Sequence, residues 1–131
     1  MRMIKFRGKS LIGEWVYGWL VIQPDGTTYI SQYFKRGEWI QINPKTVGQY
    51  ADVPNRDDTE FCEGDIIRVP DYNPDYHIQQ IVFKDGAFCG YNDKKHCKWT
   101  YLDVIVRANQ TAEVIGNIHD NPELMEGLRG R

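Results

Sequence analysis

The residue types that most often do chemistry are few: Cys62, Cys89 and Cys97, with His77, His96 and His119. Thiolate and imidazole can hold zinc, or pair as nucleophile and base, only when the chain brings several to one point. No Cys-x-x-Cys pair and no His-Glu-x-x-His occurs. His96 and Cys97 are neighbours, which on a strand aims them to opposite faces. Cys89 alternates with Phe88 and reads as a filler of a small core gap. The carboxylates Asp57, Asp58, Glu60, Glu63 and Asp65 cluster in sequence but lack the ligand spacing of a calcium loop, and read as a solvated acidic loop. Gly48, Gly64, Gly86 and Gly90 are isolated turn glycines, so there is no Gly-x-x-x-x-Gly-Lys-Ser/Thr phosphate loop. The expectation is a chain with no catalytic residues, no metal site, no cofactor and no small-molecule substrate.

A different chemistry needs only charge and rings. Lys5, Arg7 and Lys9 form one basic row, and Lys94, Lys95 and Lys98 with Trp99 form another. Interleaved with Tyr91 and His96, they would suit a nucleic acid through phosphate pairing and base stacking. Against this stands a formal net charge of -2, which gives no global attraction for a polyanion. Lysines along a sheet edge also serve to block edge-to-edge aggregation. Trp15, Trp19, Trp39 and Tyr91 sit on short strands, where rings left at the surface anchor protein partners. The sequence alone therefore favours a non-enzymatic protein-interaction or structural module, self-association included. A nucleic-acid-binding adaptor is the first alternative and an enzyme of unrecognised type the second.

The elements that position these residues are mostly strands. The chain has 131 residues, 41% hydrophobic and 26% charged, which suits one folded domain. No apolar run is long enough to span a membrane, and Met1-Arg2-Met3-Ile4-Lys5-Phe6-Arg7 is not followed by a signal-peptide core. An odd, scattered set of three cysteines fits a reducing compartment. The cytoplasm is the expected location, with no membrane contact. The organising stretch is Phe61 to Pro70, where Gly64-Asp65 turns the chain into the strand Ile66-Ile67-Arg68-Val69. Around it lie a strand alternating Ile4, Phe6 and Gly8 with an outer basic row, then Trp15 to Ile22, Thr28 to Ile30, Trp39 to Ile42 and Thr46 to Tyr50. A hairpin follows, from His77 to Tyr91, turning at Lys84-Asp85-Gly86. Trp99 to Val106 suits a helical or irregular turn at its start and a strand at its β-branched end. Glu113 to Ile118 closes the sheet. Asn121 and Pro122 then cap and start a short helix.

Three stretches taken together are similar to one family. They are Ile4-Lys5-Phe6-Arg7-Gly8-Lys9 with Gly13-Glu14-Trp15-Val16-Tyr17-Gly18, then Thr46-Val47-Gly48-Gln49-Tyr50 with Cys62-Glu63-Gly64-Asp65-Ile66-Ile67, and last Val114 to Leu124 with its Gly116-Asn117-Ile118-His119-Asp120-Asn121-Pro122 run. In this order they resemble the YopX family of phage and prophage proteins. The resemblance implies a mainly β fold with an SH3-like barrel, residence in the bacterial host cell, and no catalytic residues to carry over. Gly48, Gly64, Asp65, Gly116, Asn117, Asn121 and Pro122 match as turn and cap residues. Where the family has a Lys-Asn-Gly turn, Asn55-Arg56-Asp57-Asp58-Thr59 stands without the glycine. The expected layout is one domain over 1–131. Residues 1–50 form an N-terminal β layer, 60–122 the SH3-like barrel, and 123–131 a short helix and frayed tail.

Overall fold

The computed structural model describes residues 4–32, 38–53, 58–69, 78–92, 98–109 and 112–125. The chain divides into two compact units, Met1–Tyr50 and Ala51–Arg131.

The first unit is an antiparallel sheet in the order β4-β3-β2-β1-β5. Its strands are β1 (Phe6–Lys9), β2 (Trp15–Ile22), β3 (Thr28–Gln32), β4 (Trp39–Gln41) and β5 (Gly48–Ala51), the last running to the unit's boundary. Pro24-Asp25-Gly26 reverses the chain between β2 and β3. Gly26 N–H donates to the Gln23 carbonyl at 2.8 Å, and the Asp25 carboxylate accepts from Thr27 N–H at 2.9 Å. Thr46 departs from expectation, for it ends a 3₁₀ turn, Pro44–Thr46, rather than opening a strand. Asn43 caps that turn and Pro44 presets its first dihedral. The Thr46 hydroxyl donates to the Asn43 carbonyl at 2.7 Å and accepts from Lys9 N–H at 2.8 Å, which ties the turn to β1.

Strand alternation gives this sheet two unlike faces. One carries Val16, Ile30 and Ile42, all buried, with Ile40 and Val47 packed against them. Gly8 lies under Ile42, and a Cβ there would run into that side chain. Gly18 lets β2 approach β3 so closely that a Cβ would meet the Ser31 carbonyl. The other face holds the candidate site.

The second unit is an antiparallel sheet in the order β10-β9-β8-β7-β11. It comprises β7 (Asp65–Arg68), β8 (Ile78–Lys84), β9 (Ala87–Asn92), β10 (Lys98–Tyr101) and β11 (Glu113–Asn117), with the short β6 (Phe61–Cys62) before it and helix α1 (Leu102–Asn109) between β10 and β11. Its core is Phe61, Ile67, Val69, Ile81, Leu102, Ile105, Val106, Ala51 and Ala112. The chain is thus mainly β, in two antiparallel sheets. Among the described residues no pairing joins β10 to β11, so the expected barrel is not closed.

The Gly64-Asp65 turn sits in the middle of this unit. Gly64 has φ 93°, a conformation that suits a residue without a side chain. Its N–H donates to the Ile81 carbonyl at 2.8 Å, and its own carbonyl accepts from Ile118 N–H at 2.9 Å. The buried Asp65 carboxylate accepts from Cys62 N–H at 2.9 Å. At the hairpin turn both Asp85 (φ 52°) and Gly86 (φ 83°) are left-handed, as a two-residue turn matched to strand twist requires. In the acidic loop Asp58 takes φ 59°. Asp tolerates that left-handed region better than most residues.

One expectation is reversed. The strand comes first, at Lys98–Tyr101, and the β-branched Val104-Ile105-Val106 is helical. Leu102, Ile105 and Val106 lie one helical turn apart and are all buried. Burial of that stripe outweighs the weak local preference of β-branched residues. At the C-terminal end, helix is described over residues 123–125, where Leu124 N–H donates to the Asn121 carbonyl and Met125 N–H to that of Pro122, each at 3.1 Å. Met125 is buried. The rest of the expected helix and tail, with Gly127 and Leu128, lies outside the described residues.

Candidate nucleic-acid interface

The outer face of the first sheet follows from register. Arg7 pairs with Tyr17 and Lys9 with Trp15. Trp19 pairs with Ser31 and Val21 with Tyr29, and these with Trp39 and Gln41 respectively. Arg7 also pairs with Gly48 on β5, and Tyr50 N–H donates to the Lys5 carbonyl at 2.9 Å. Residues that pair directly share a face. Lys5, Arg7 and Lys9 therefore stand among Trp15, Tyr17, Trp19, Tyr29, Trp39 and Tyr50. None of the described positions of this face carries a carboxylate.

The cations and rings touch. The Lys5 ammonium lies 4.4 Å from the Tyr50 ring centre, the Arg7 guanidinium 4.7 Å from that of Trp15, and the Lys9 ammonium 5.4 Å from the same indole. These are cation–π distances. Tyr17 and Tyr50 are 6.4 Å apart, and Tyr29 and Trp39 6.0 Å, both tilted. Arg7 corrects the expectation of a fully outward basic row, since it is 8% exposed. Its stem and guanidinium are covered where the row passes Trp15, whereas Lys5 and Lys9 are half-buried. Tyr17, Trp19 and Trp39 remain 47%, 51% and 52% exposed. Rings held half in water on a rigid sheet leave π-faces to meet a ligand.

The structure thus joins residues that the sequence assigned to rival hypotheses. The cations Lys5, Arg7 and Lys9 and the tryptophans Trp15, Trp19 and Trp39 occupy one face. Tyr17, Tyr29, Tyr50 and Ser31 complete it, and the signal for them was the alternation of β2 continued across its neighbours. Lys94 and Lys95 lie outside the described residues, while Lys98 and Trp99 belong to β10 of the second unit, in register with Asn92 and Tyr91.

The turn residues are occupied with architecture. Asn117 accepts from His119 N–H at 3.0 Å and from Asp120 N–H at 2.9 Å. Its side-chain amide donates to Asp120 at 3.1 Å, and its own N–H donates to the Asn121 side-chain oxygen at 3.3 Å. A Cβ on Gly116 would strike that Asn121 side chain. Gly48 is buried opposite Arg7, and Pro122 precedes the terminal turn.

The second unit has a cleft of about 370 Å³ lined by Lys84, Asp85, Cys89, Thr100, Tyr101 and Val104. Burial pushes the Cys89 thiol up from its ordinary value, the reverse of what activates a nucleophile. Among the described residues no three His, Cys, Asp or Glu side chains are placed to hold a metal ion. His77, His96, Cys97 and Asp57 fall outside those residues. No helix among the described residues is long and apolar enough to cross a membrane.

Fold and face together define a mainly β protein of two antiparallel sheets, one of them presenting an aromatic and cationic surface. The chain belongs to the YopX family, whose sequence profile, YopX protein, matches residues 14–126. No curated protein matches it in sequence.

Proposed function

We propose that this YopX chain is a non-enzymatic module that binds single-stranded nucleic acid on the outer face of its first sheet, inside the bacterial host of a phage or prophage. One observation carries the reading: in a chain of net charge -2, the described positions of this face gather three cations and a set of partly exposed rings without a carboxylate. An apolar protein partner needs the rings but gains nothing from the cations, because charged groups are depleted at the centre of protein interfaces. A duplex needs the cations but hides the π-faces of its bases. A single strand uses both. The second unit serves as scaffold. Its order β7-β8-β9-β10-α1-β11, with β11 returning beside β7, supports reading it as an SH3-like barrel left open.

The test is a titration of the purified chain with a short single-stranded oligonucleotide and with a hairpin duplex of the same sequence, followed by tryptophan fluorescence. Quenching by the single strand, weakening as salt rises, is expected. Binding that prefers the duplex, or that ignores salt, would refute the reading. Protein binding is the second reading, favoured by Leu11 and Ile12, 67% and 81% exposed at the β1–β2 turn. Affinity capture that retains a defined partner after nuclease and moderate salt would support it instead.

A further inference from the structure

Tyr17 and Tyr50 stand on β2 and β5, the two neighbours of β1. Strands lie about 4.8 Å apart, so two spacings alone hold their Cα atoms roughly 10 Å apart or more. Their ring centres are only 6.4 Å apart, so the two side chains lean towards each other above β1. Arg7, which pairs with Tyr17, lies between their strands and is 8% exposed. On its other side Arg7 pairs with Gly48, which puts no side chain in the way of the Tyr50 ring. The two rings are inclined at 46°, so Tyr50 meets Tyr17 at an angle and does not lie flat over it. Tyr17 is 47% exposed. A ring face held on a rigid sheet and half in water is what an unpaired base stacks on.

A cation stands beside this ring pair and selects the occupant. Tyr50 N–H donates to the Lys5 carbonyl at 2.9 Å, and the Lys5 ammonium lies 4.4 Å from the Tyr50 ring centre. Steps of 6.4 Å and 4.4 Å therefore lead from Tyr17 through Tyr50 to a positive charge, a span that one nucleotide bridges from its base to its phosphate. Trp15 differs, since Arg7 and Lys9 already lie over it. Trp39 differs too, standing on β4 at the opposite edge of this sheet from Tyr50. A planar cation would be repelled by the ammonium, whereas a base bearing a phosphate would be drawn to it. We infer that Tyr17 stacks one unpaired nucleobase and that the Lys5 ammonium takes the phosphate of the same nucleotide. This deepens, and rests on, the reading of the face as a nucleic-acid interface. The ring offers stacking rather than a fixed pattern of donors, so it takes different bases with little discrimination.

The experiment compares a short single-stranded oligonucleotide with the same strand made abasic, which keeps the phosphates and removes the rings. Tyr17→Leu keeps an apolar side chain and removes the ring, whereas Tyr17→Phe keeps the ring and removes the hydroxyl. Tyr17→Leu is expected to bind the base-bearing strand about tenfold more weakly than wild type, the size of one stacked base, and to bind the abasic strand as wild type does. Tyr17→Phe should match wild type on both strands. Lys5→Ala should weaken both strands by the same factor and reduce the salt dependence of each. Thermal melting confirms that each variant is folded. If Tyr17→Leu leaves the base-bearing strand unaffected, weakens both strands alike, or is matched by Tyr17→Phe, the stacking role is wrong and the interface stands. If Lys5→Ala leaves the abasic strand unaffected, the phosphate assignment is wrong. If wild type binds neither strand, this inference and the interface fall together.

Discussion

The basic row gives the sharpest quantitative handle. The perturbation is Lys5→Ala with Lys9→Ala. Arg7 is left in place, because it is buried against Trp15 and its removal would disturb packing as well as charge. Arg7 is covered, so Lys5 and Lys9 are the cations that can each neutralise one phosphate of a single strand; log K then falls with log salt at a slope of roughly -1.4, and without them at roughly 0. Raising salt about fourfold, from roughly 50 to 200 mM, then weakens wild type about sevenfold and leaves the variant nearly unchanged. The two should differ most at low salt and converge at high salt. Fluorescence anisotropy with a labelled oligonucleotide over that range reads both slopes. The folding cost is small, since cation–π contacts at partly exposed sites contribute about 0.5–1 kcal/mol each, and a thermal melt checks it. Parallel slopes for wild type and variant would refute the argument, for then the lysines meet no phosphate and serve only to cover Tyr50 and Trp15.

The remaining predictions concern the second unit and chemistry at a thiol. Gly64→Val should lower stability by about 2 kcal/mol or more, because a β-branched residue is forced into a left-handed, buried turn; an unchanged urea midpoint would tell against the turn's role. Asn117→Ala leaves two turn N–H groups without their acceptor and should cost about 1–3 kcal/mol in the same assay, with oligonucleotide affinity untouched. Burial raises the Cys89 thiol above its ordinary 9.0, so the unfolded thiol ionises first as pH climbs. Its contribution to stability is complete below that value and is lost above it. Wild type should therefore lose more stability than Cys89→Ala between about pH 8 and pH 10; equal losses would place that thiol in water.

The strands were legible because their signals are local. Trp15 to Ile22 alternates, Asp85-Gly86 and Asp25-Gly26 are turn pairs with a steric reason, and Gly64-Asp65 announces the strand it starts. What failed to show depends on neighbours distant in sequence. Val104-Ile105-Val106 reads as a strand by propensity, and only the core it completes makes it helical. Thr46 yields to a cap and a proline just before it. Arg7 reads as an outward charge until β2 lays Trp15 across it. The site itself was half visible. Its cations and its tryptophans were each singled out, but for different functions, because nothing in the one-dimensional spacing of Lys5 and Trp39 says that three intervening pairings put them on one surface.

The close passage of Gly18 beside the Ser31 carbonyl bears on how such a chain evolves. It fixes which residues of β2 and β3 meet, and so separates two sets of positions along the same strands. The inner set, with Val16 and Ile30, is held by packing and changes only at the expense of folding. The outer set is anchored by the same backbone yet is largely in water, so point mutation can rewrite it without rebuilding the sheet. An inserted or deleted residue in β2 has no such freedom, because it exchanges the two sets at once. Lineages sharing this scaffold can therefore diverge in ligand by substitution alone, while changes of length are confined to the turns between strands, such as Pro24-Asp25-Gly26, which lie outside the strand register.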